Sequence, residues 1–244
     1  MMESKDEVFR EQIEKVSDFK FGQKVASVFD DMVNRSVPYY EEIQRMVGEL
    51  AADHMQPGTE AWDLGCSTGT TLMQMALQAP EGIRFVGVDD SPEMLEKCRQ
   101  KLEEADFPFP YDLRVADLNQ GVEMSGASVA VLCLTLQFIR PIYRERLLKT
   151  IFDGLLPGGA LVLVEKILAE DSRYNRDFIK YYYNMKRRHN YSEMEISQKR
   201  EALENVLIPY KLSENILLLR ETGFAHCEVF FKWYNFAGLV AVKK

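Results

Sequence analysis

The sequence has 244 residues, 46% of them hydrophobic and 28% charged, a balance that gives one large domain a sizeable core and excludes wholesale disorder. Its 30 Lys and Arg against 38 Asp and Glu leave a formal charge of −8, which argues against a dedicated nucleic-acid binder, because such a protein usually shows a basic face. The cysteines, Cys66, Cys98, Cys133 and Cys227, are scattered without zinc-finger or disulfide-framework spacing and suit a reducing cytoplasm.

In chain order, the charged start MMESKDEVFREQ lacks a signal-peptide core. No apolar stretch later on approaches the ~20 residues of a membrane span, so a cytoplasmic protein is expected. Residues 1–20 read as a flexible N-terminal arm, and 21–244 as a single domain. N-terminal helices fill 21–56: Val25, Val28, Phe29 and Met32, then Ile43, Met46, Val47 and Leu50, recur at three- and four-residue spacing. That pattern predicts two helices broken around Pro38.

The period then changes. Glu60–Leu64 reads as a strand running into Gly65-Cys66-Ser67-Thr68-Gly69, with a helix over Leu72–Leu77. Arg84–Asp89 is a second strand. Asp90-Ser91-Pro92-Glu93 follows as a helix start, with Ser91 as N-cap, Pro92 at the first position and Glu93 in the first turn. Leu113–Ala116 and Ala127–Thr135 give two more strands. A helix over Tyr143–Phe152 stops at Leu156-Pro157-Gly158-Gly159, and Ala160–Glu165 is a fifth strand. Strands that are continuously apolar and alternate with helices predict a parallel sheet buried on both faces. A helical insertion over 168–222 interrupts the rhythm, and Cys227–Lys232 and Phe236–Val242 read as an antiparallel pair at one edge.

The glycine loop carries the chemistry. Its glycines, Gly65 and Gly69, are four apart and follow Asp63 at a strand end, where an open α/β sheet binds its ligand. An acid there is poor for a pyrophosphate and good for an amine or hydroxyl donor. Asp89 and Asp90 end the second strand, placed to accept from ribose hydroxyls. Asp117 and Leu118 end the third, offering a polar acceptor and an apolar neighbour to an adenine ring. The strand-end acids together point to an adenosine-bearing ligand with a cationic or amino-acid end.

This constellation resembles the class I S-adenosylmethionine-dependent methyltransferases, whose first motif has the form (D/E)-x-G-x-x-x-G. The resemblance implies an α/β, Rossmann-like class I methyltransferase fold: a mostly parallel seven-stranded sheet with an antiparallel edge strand and helices on both faces. The runs Phe29–Pro38 (FDDMVNRSVP), Leu134–Phe138 (LTLQF) and Tyr191–Arg200 (YSEMEISQKR), with Leu203–Val206 and Asn235-Phe236, are similar to the carboxy-S-adenosyl-L-methionine synthase family, over about 21–242.

That resemblance implies a transferase in which prephenate supplies carbon dioxide to the methyl carbon of S-adenosyl-L-methionine, through a sulfonium ylide. The products would be carboxy-S-adenosyl-L-methionine and phenylpyruvate. The first would serve a downstream carboxymethyltransferase that modifies a tRNA wobble uridine, so no direct nucleic-acid contact is expected. The resemblance also implies a homodimer in which Arg200 clamps the new carboxylate, in its own subunit or across the interface. Tyr40 and Arg200 are the implied catalytic residues. Tyr40 would lie over the cofactor, Gly65, Cys66 and Ser67 against its methionine portion, Asp89 and Asp90 at the ribose, and Asp117 and Leu118 at the adenine. Cys133 stands where the family usually has asparagine, and Asp90 where asparagine is common. Two rival readings are a conventional methyltransferase acting on a small molecule or tRNA, and a non-catalytic S-adenosylmethionine-binding partner subunit. Arg200 discriminates, since neither rival needs a carboxylate clamp.

Three further features have plainer readings. Arg173–Arg188 interleaves basic residues with Tyr174, Tyr181, Tyr182 and Tyr183. An amphipathic helix with packed tyrosines and solvent-facing charges is favoured there over an RNA grip, although such a helix could also close over the site. His54, His189 and His226 have no metal-site spacing, so no metal is expected. Cys66 reads as a small loop residue with no activating base near it in sequence.

Overall fold

The described residues, 5–12 and 16–244 of the computed structural model, form one sheet of seven strands. These are β1 (Glu60–Leu64), β2 (Arg84–Asp89), β3 (Tyr111–Val115), β4 (Ala127–Cys133), β5 (Leu155–Lys166), β6 (His226–Trp233) and β7 (Phe236–Val242), in the order β3-β2-β1-β4-β5-β7-β6. β1 to β5 are parallel, and β7 enters between β5 and β6 and runs against both, forming the expected antiparallel pair at that edge. The strand order reverses between β1 and β4, the place where an open α/β sheet holds its ligand.

The apolar runs are continuous because both faces are covered. In β4, Val129 and Val131 join a core with Ile43, Val47, Leu72 and Leu95 of the helices α3 (Tyr40–His54), α4 (Thr70–Ala76) and α5 (Pro92–Glu104). The intervening Ala130 and Leu132 join a second core with Leu147, Leu148 and Leu219 of α6 (Pro141–Gly154) and α9 (Leu212–Thr222). Side chains alternate across a strand, so a strand covered twice is apolar at every position.

Two expectations are corrected. The N-terminal region holds three helices, not two: α1 (Gln23–Ala26), α2 (Phe29–Ser36) and α3, because Val28 (φ −128°, ψ 11°) leaves the helical region as well as the segment at Pro38. The fifth strand starts at Leu155 rather than Ala160. Its Pro157-Gly158-Gly159 segment lies within the strand, where the register against β4 shifts, and a Cβ at Gly159 would stand 2.8 Å from the Ser128 carbonyl oxygen. The insertion supplies α7 (Ser172–Arg188) and α8 (Glu193–Leu203), the latter started by a Ser192/Glu195 capping box.

Of the segment expected as an arm, residues 1–4 and 13–15 lie outside those described. Among its other residues, Phe9 and Phe19 are buried with Met32, Met94 and Ala202, and the Phe19 amide donates to the Ala202 carbonyl at 2.9 Å. This third cluster brings the N-terminal segment, α2 and α8 together over the ends of the strands.

Candidate active site

The carboxyl ends of the strands open into a cavity of about 660 Å3. Tyr40, Gly65, Cys66, Ser67, Asp89, Asp90, Asp117, Leu118, Cys133 and Arg200 all line it, whereas Asp63 and Gly69 of the same motif lie behind the lining.

The glycine loop is held by close approach. Gly65 lies at φ +84°, its amide donates to the Val88 carbonyl at 2.7 Å, and a Cβ there would stand 2.3 Å from Thr135 Oγ1. Only glycine meets both the torsion and the space. Gly69, also at φ +84°, starts α4. Behind the loop, Thr68 donates to Asp30 at 2.6 Å, and Lys101 Nζ bridges Asp30, Thr68 and Thr70. This network ties α2, the loop and α5 together.

Asp89 is a brace as well as a candidate ligand. One carboxylate oxygen accepts the Ser67 amide at 2.9 Å and the other the Ser91 amide at 3.0 Å. Burial still pushes its carboxyl up to about 6. Each oxygen keeps a second lone pair for a hydroxyl donor. Asp90 is more open; its carboxyl is raised by burial and then by the charge of Asp117. Asp117 accepts the amide and side-chain nitrogen of Asn119 at 2.8 and 2.9 Å, beside buried Leu118.

Asp63, at the end of β1, is fully buried, and neither carboxylate oxygen has a hydrogen-bond partner. Burial, then the charge of Asp89, pushes it up to about 8. A buried acid without a hydrogen-bond partner is costly, and behind the loop its charge favours a cation such as the amino-acid ammonium of S-adenosylmethionine. With the close-approach loop and the acids after β2 and β3 on the cavity lining, this set of acceptors fits that molecule. Because folding raises its affinity for protons, Asp63 costs nothing below its ordinary value near 4, and stability is lost as pH rises through about 8. In ligand-free protein, the stability of Asp63→Asn, read from thermal melts, should therefore gain on the wild type's by a few kcal/mol as pH goes from about 5 to about 9. A gap that stays constant with pH would refute this.

Tyr40 opens α3 directly after Tyr39, which is left-handed at φ +53°. Burial first, then the charge of Asp30, pushes its phenol well above its ordinary range, so it stays protonated and able to donate. Burial likewise pushes the Cys133 thiol up and keeps it neutral; Gln44 donates to its sulfur at 3.5 Å. Arg200 is exposed at the cavity rim and has neither ion pair nor hydrogen bond to a described residue.

Sequence reasoning missed the basic wall. Lys166 at the end of β5, Lys186 on α7 and Lys199 on α8 all line the cavity. Lys186 and Lys199 are 4% and 5% exposed, which corrects the expectation that the charges of Arg173–Arg188 all face solvent. Burial pulls Lys166 and Lys199 down to about 8, and Lys186 well below its ordinary value. Tyr182 and Tyr183 of α7 line the cavity too.

Residues 61–159 match the methyltransferase domain family. An O-methyltransferase family protein of Burkholderia thailandensis shares the fold with a TM-score of 0.69 at 16% identity, over 95% of this chain and 65% of its own. Human N-acetylserotonin methyltransferase, solved with S-adenosylmethionine, does so with a TM-score of 0.59 at 16% identity, over 91% and 55%. Sheet order, glycine loop and these likenesses define a class I S-adenosylmethionine-dependent methyltransferase fold.

Two full-length relatives are much nearer in sequence. The carboxy-S-adenosyl-L-methionine synthase of Methylococcus capsulatus is 57% identical over 241 residues, 98% of this chain and 100% of the relative. That of Desulfotalea psychrophila is 41% identical over 244 residues, 100% and 99%. The chain belongs to the carboxy-S-adenosyl-L-methionine synthase family and is an enzyme of S-adenosylmethionine chemistry.

Proposed function

We propose that the protein converts S-adenosyl-L-methionine and prephenate to carboxy-S-adenosyl-L-methionine and phenylpyruvate. One observation carries the reading: a single cavity joins a half lined by Asp89, Asp90 and Asp117 to an Arg200 that has no counter-ion among the described residues. A positively charged sulfonium substrate suits the first and a carboxylated product the second. A conventional methyl acceptor gives Arg200 nothing to hold.

The chemistry balances within the two substrates. Breaking the bond to prephenate's ring carboxylate lets the ring aromatise as its hydroxyl group departs as hydroxide, freeing carbon dioxide. The sulfonium acidifies the adjacent methyl, hydroxide takes a methyl proton to form water, and the resulting carbanion adds to carbon dioxide. The chain's residues orient and shield this exchange: Gly65, Cys66 and Ser67 take the methionine portion over the charge of Asp63 behind them, Asp89 and Asp90 the ribose, Asp117 and Leu118 the adenine. Tyr40 covers the sulfonium end, and Arg200 receives the new carboxylate through its planar fork.

Within this reading the enzyme is a cytoplasmic homodimer that feeds a tRNA-modifying carboxymethyltransferase and itself touches no tRNA, in keeping with its charge of −8. Incubation with both substrates should yield a nucleoside heavier by one carbon dioxide, read by mass spectrometry of the denatured supernatant. Unmodified S-adenosylmethionine with prephenate untouched would overturn the proposal.

A further inference from the structure

The charges behind the cavity wall do not balance. Arg35 is satisfied: it donates to Asp31 at 3.2 Å and to the carbonyls of Asp6, His189 and Asn190. Asp6 is the acid that faces the lysines. Its Oδ2 already accepts the Tyr191 hydroxyl at 2.7 Å and stands 3.7 Å from Lys199 Nζ, beyond hydrogen-bond reach. Lys199 Nζ is buried with no hydrogen-bond partner. Among the described residues, Lys166 and Lys186 have no carboxylate within ion-pair distance. Their ammonium groups flank the same buried ring, 5.0 and 4.9 Å from the centre of Tyr182. Lys186 and Lys199 likewise share the ring of Tyr191, at 5.7 and 5.5 Å.

Counting Arg35 with Asp31 and Lys199 with Asp6, two cations remain over among the described residues, the buried Lys186 and the half-buried Lys166, both on the cavity wall. Buried like charges repel strongly in a low dielectric, and burying a charge without a partner is costly. Tyrosine faces soften that cost but supply no negative charge. The excess also has a direction. Asp89, Asp90 and Asp117 line the cavity after β2 and β3, while Lys166 ends β5 on the far side of β4 against Tyr182 of α7, where the one lining acid, Glu204, is exposed. The cavity is thus polarised, with one end for a cation and the other for an anion.

We propose that Lys166 and Lys186, backed by Lys199, form the seat of the second substrate and select a dicarboxylate. Two unpaired ammonium groups meet two carboxylates, one each, and place the dianion across the cavity from the sulfonium. Arg200 then serves the product's carboxylate alone. The substrate name attached to this seat rests on the synthase reading above; the charge count does not.

The test uses the full-length enzyme with S-adenosylmethionine. Lys166→Met and Lys186→Met should each raise the KM for prephenate roughly 10- to 100-fold and leave the affinity for S-adenosylmethionine within about twofold, while Lys186→Arg retains most of the binding. The prephenate-induced rise in melting temperature, which needs no turnover, should shrink in both methionine variants. An unchanged prephenate KM in both, or an equal loss of S-adenosylmethionine affinity, would overturn the seat and leave the synthase reading standing. A wild type stabilised by prephenate through these lysines, yet making no carboxylated product, would support the seat and sink the synthase reading.

Discussion

Replacing Arg200 with alanine should lower formation of carboxy-S-adenosylmethionine about 10- to 100-fold while leaving the affinity for S-adenosylmethionine itself unchanged. The split follows from what the side chain faces. Arg200 lines the cavity rim, exposed and without an ion pair or side-chain hydrogen bond to a described residue, so removing it breaks no such contact and strands no partner among them. On the proposed reading, what is lost is a charge-assisted, two-pronged contact to the carboxylate formed in the transfer, a contribution of roughly 1.5–3 kcal/mol. Lysine restores the charge without the fork, so Arg200→Lys should recover only part of the loss. Steady-state kinetics and a direct binding measurement on the same preparations separate the two quantities. Equal loss of S-adenosylmethionine binding would make Arg200 a general binding residue, and full activity of Arg200→Ala would end the clamp role. Mixing Arg200→Ala with a chain crippled in its own cofactor loop adds a second decision. Activity returns in the mixture only if the arginine serves the partner subunit's cavity.

Arg200 and Lys199 also show where sequence reasoning reached and where it stopped. The glycine loop, the Ser91 cap and the strand-end acids are local signals. Each depends on residues a few positions apart, and Ser91 accepts the Met94 amide as its spacing predicts. The strands were legible because burial on both faces leaves an unbroken apolar run. By contrast, Lys199 and Arg200 are neighbours in the chain but about 100° apart around α8, so one is buried at the wall and the other exposed at the rim. Nothing in a basic pair announces that division. Lys186 reads as one more charge on a basic helix until Tyr182, Tyr191 and the end of β5 close around it. Asp30, Asp31 and Arg35 likewise carried a family resemblance without a visible task. Their partners Thr68, Lys101, Asp6 and His189 lie 25 to 154 positions away, and only the fold brings them together.

Gly65→Ala should be the most damaging small substitution in the chain, abolishing measurable S-adenosylmethionine binding and lowering stability by several kcal/mol. Two costs combine. At φ +84° an L-residue is in the left-handed region, worth roughly 1–2 kcal/mol. The added methyl would also stand 2.3 Å from Thr135 Oγ1, 2.5 Å from its Cγ2 and 3.0 Å from its Cβ, and overpacking of this kind costs about 1–3 kcal/mol. Rotating Thr135 cannot relieve the clash, because its Cβ carries two heavy atoms and is itself too close. The loop must therefore move, and with it the Gly65 amide on Val88 and the Ser67 amide on Asp89, which together aim the loop at the cavity. Thr135→Ala in the same chain removes the two nearest contacts but leaves the torsion and the 3.0 Å contact. The double variant should regain the packing share of stability and only part of the binding. Thermal melts and titration with S-adenosylmethionine across the wild type, both single variants and the double separate the two costs. A Gly65→Ala protein that binds S-adenosylmethionine within about threefold of wild type would show that this loop does not touch it.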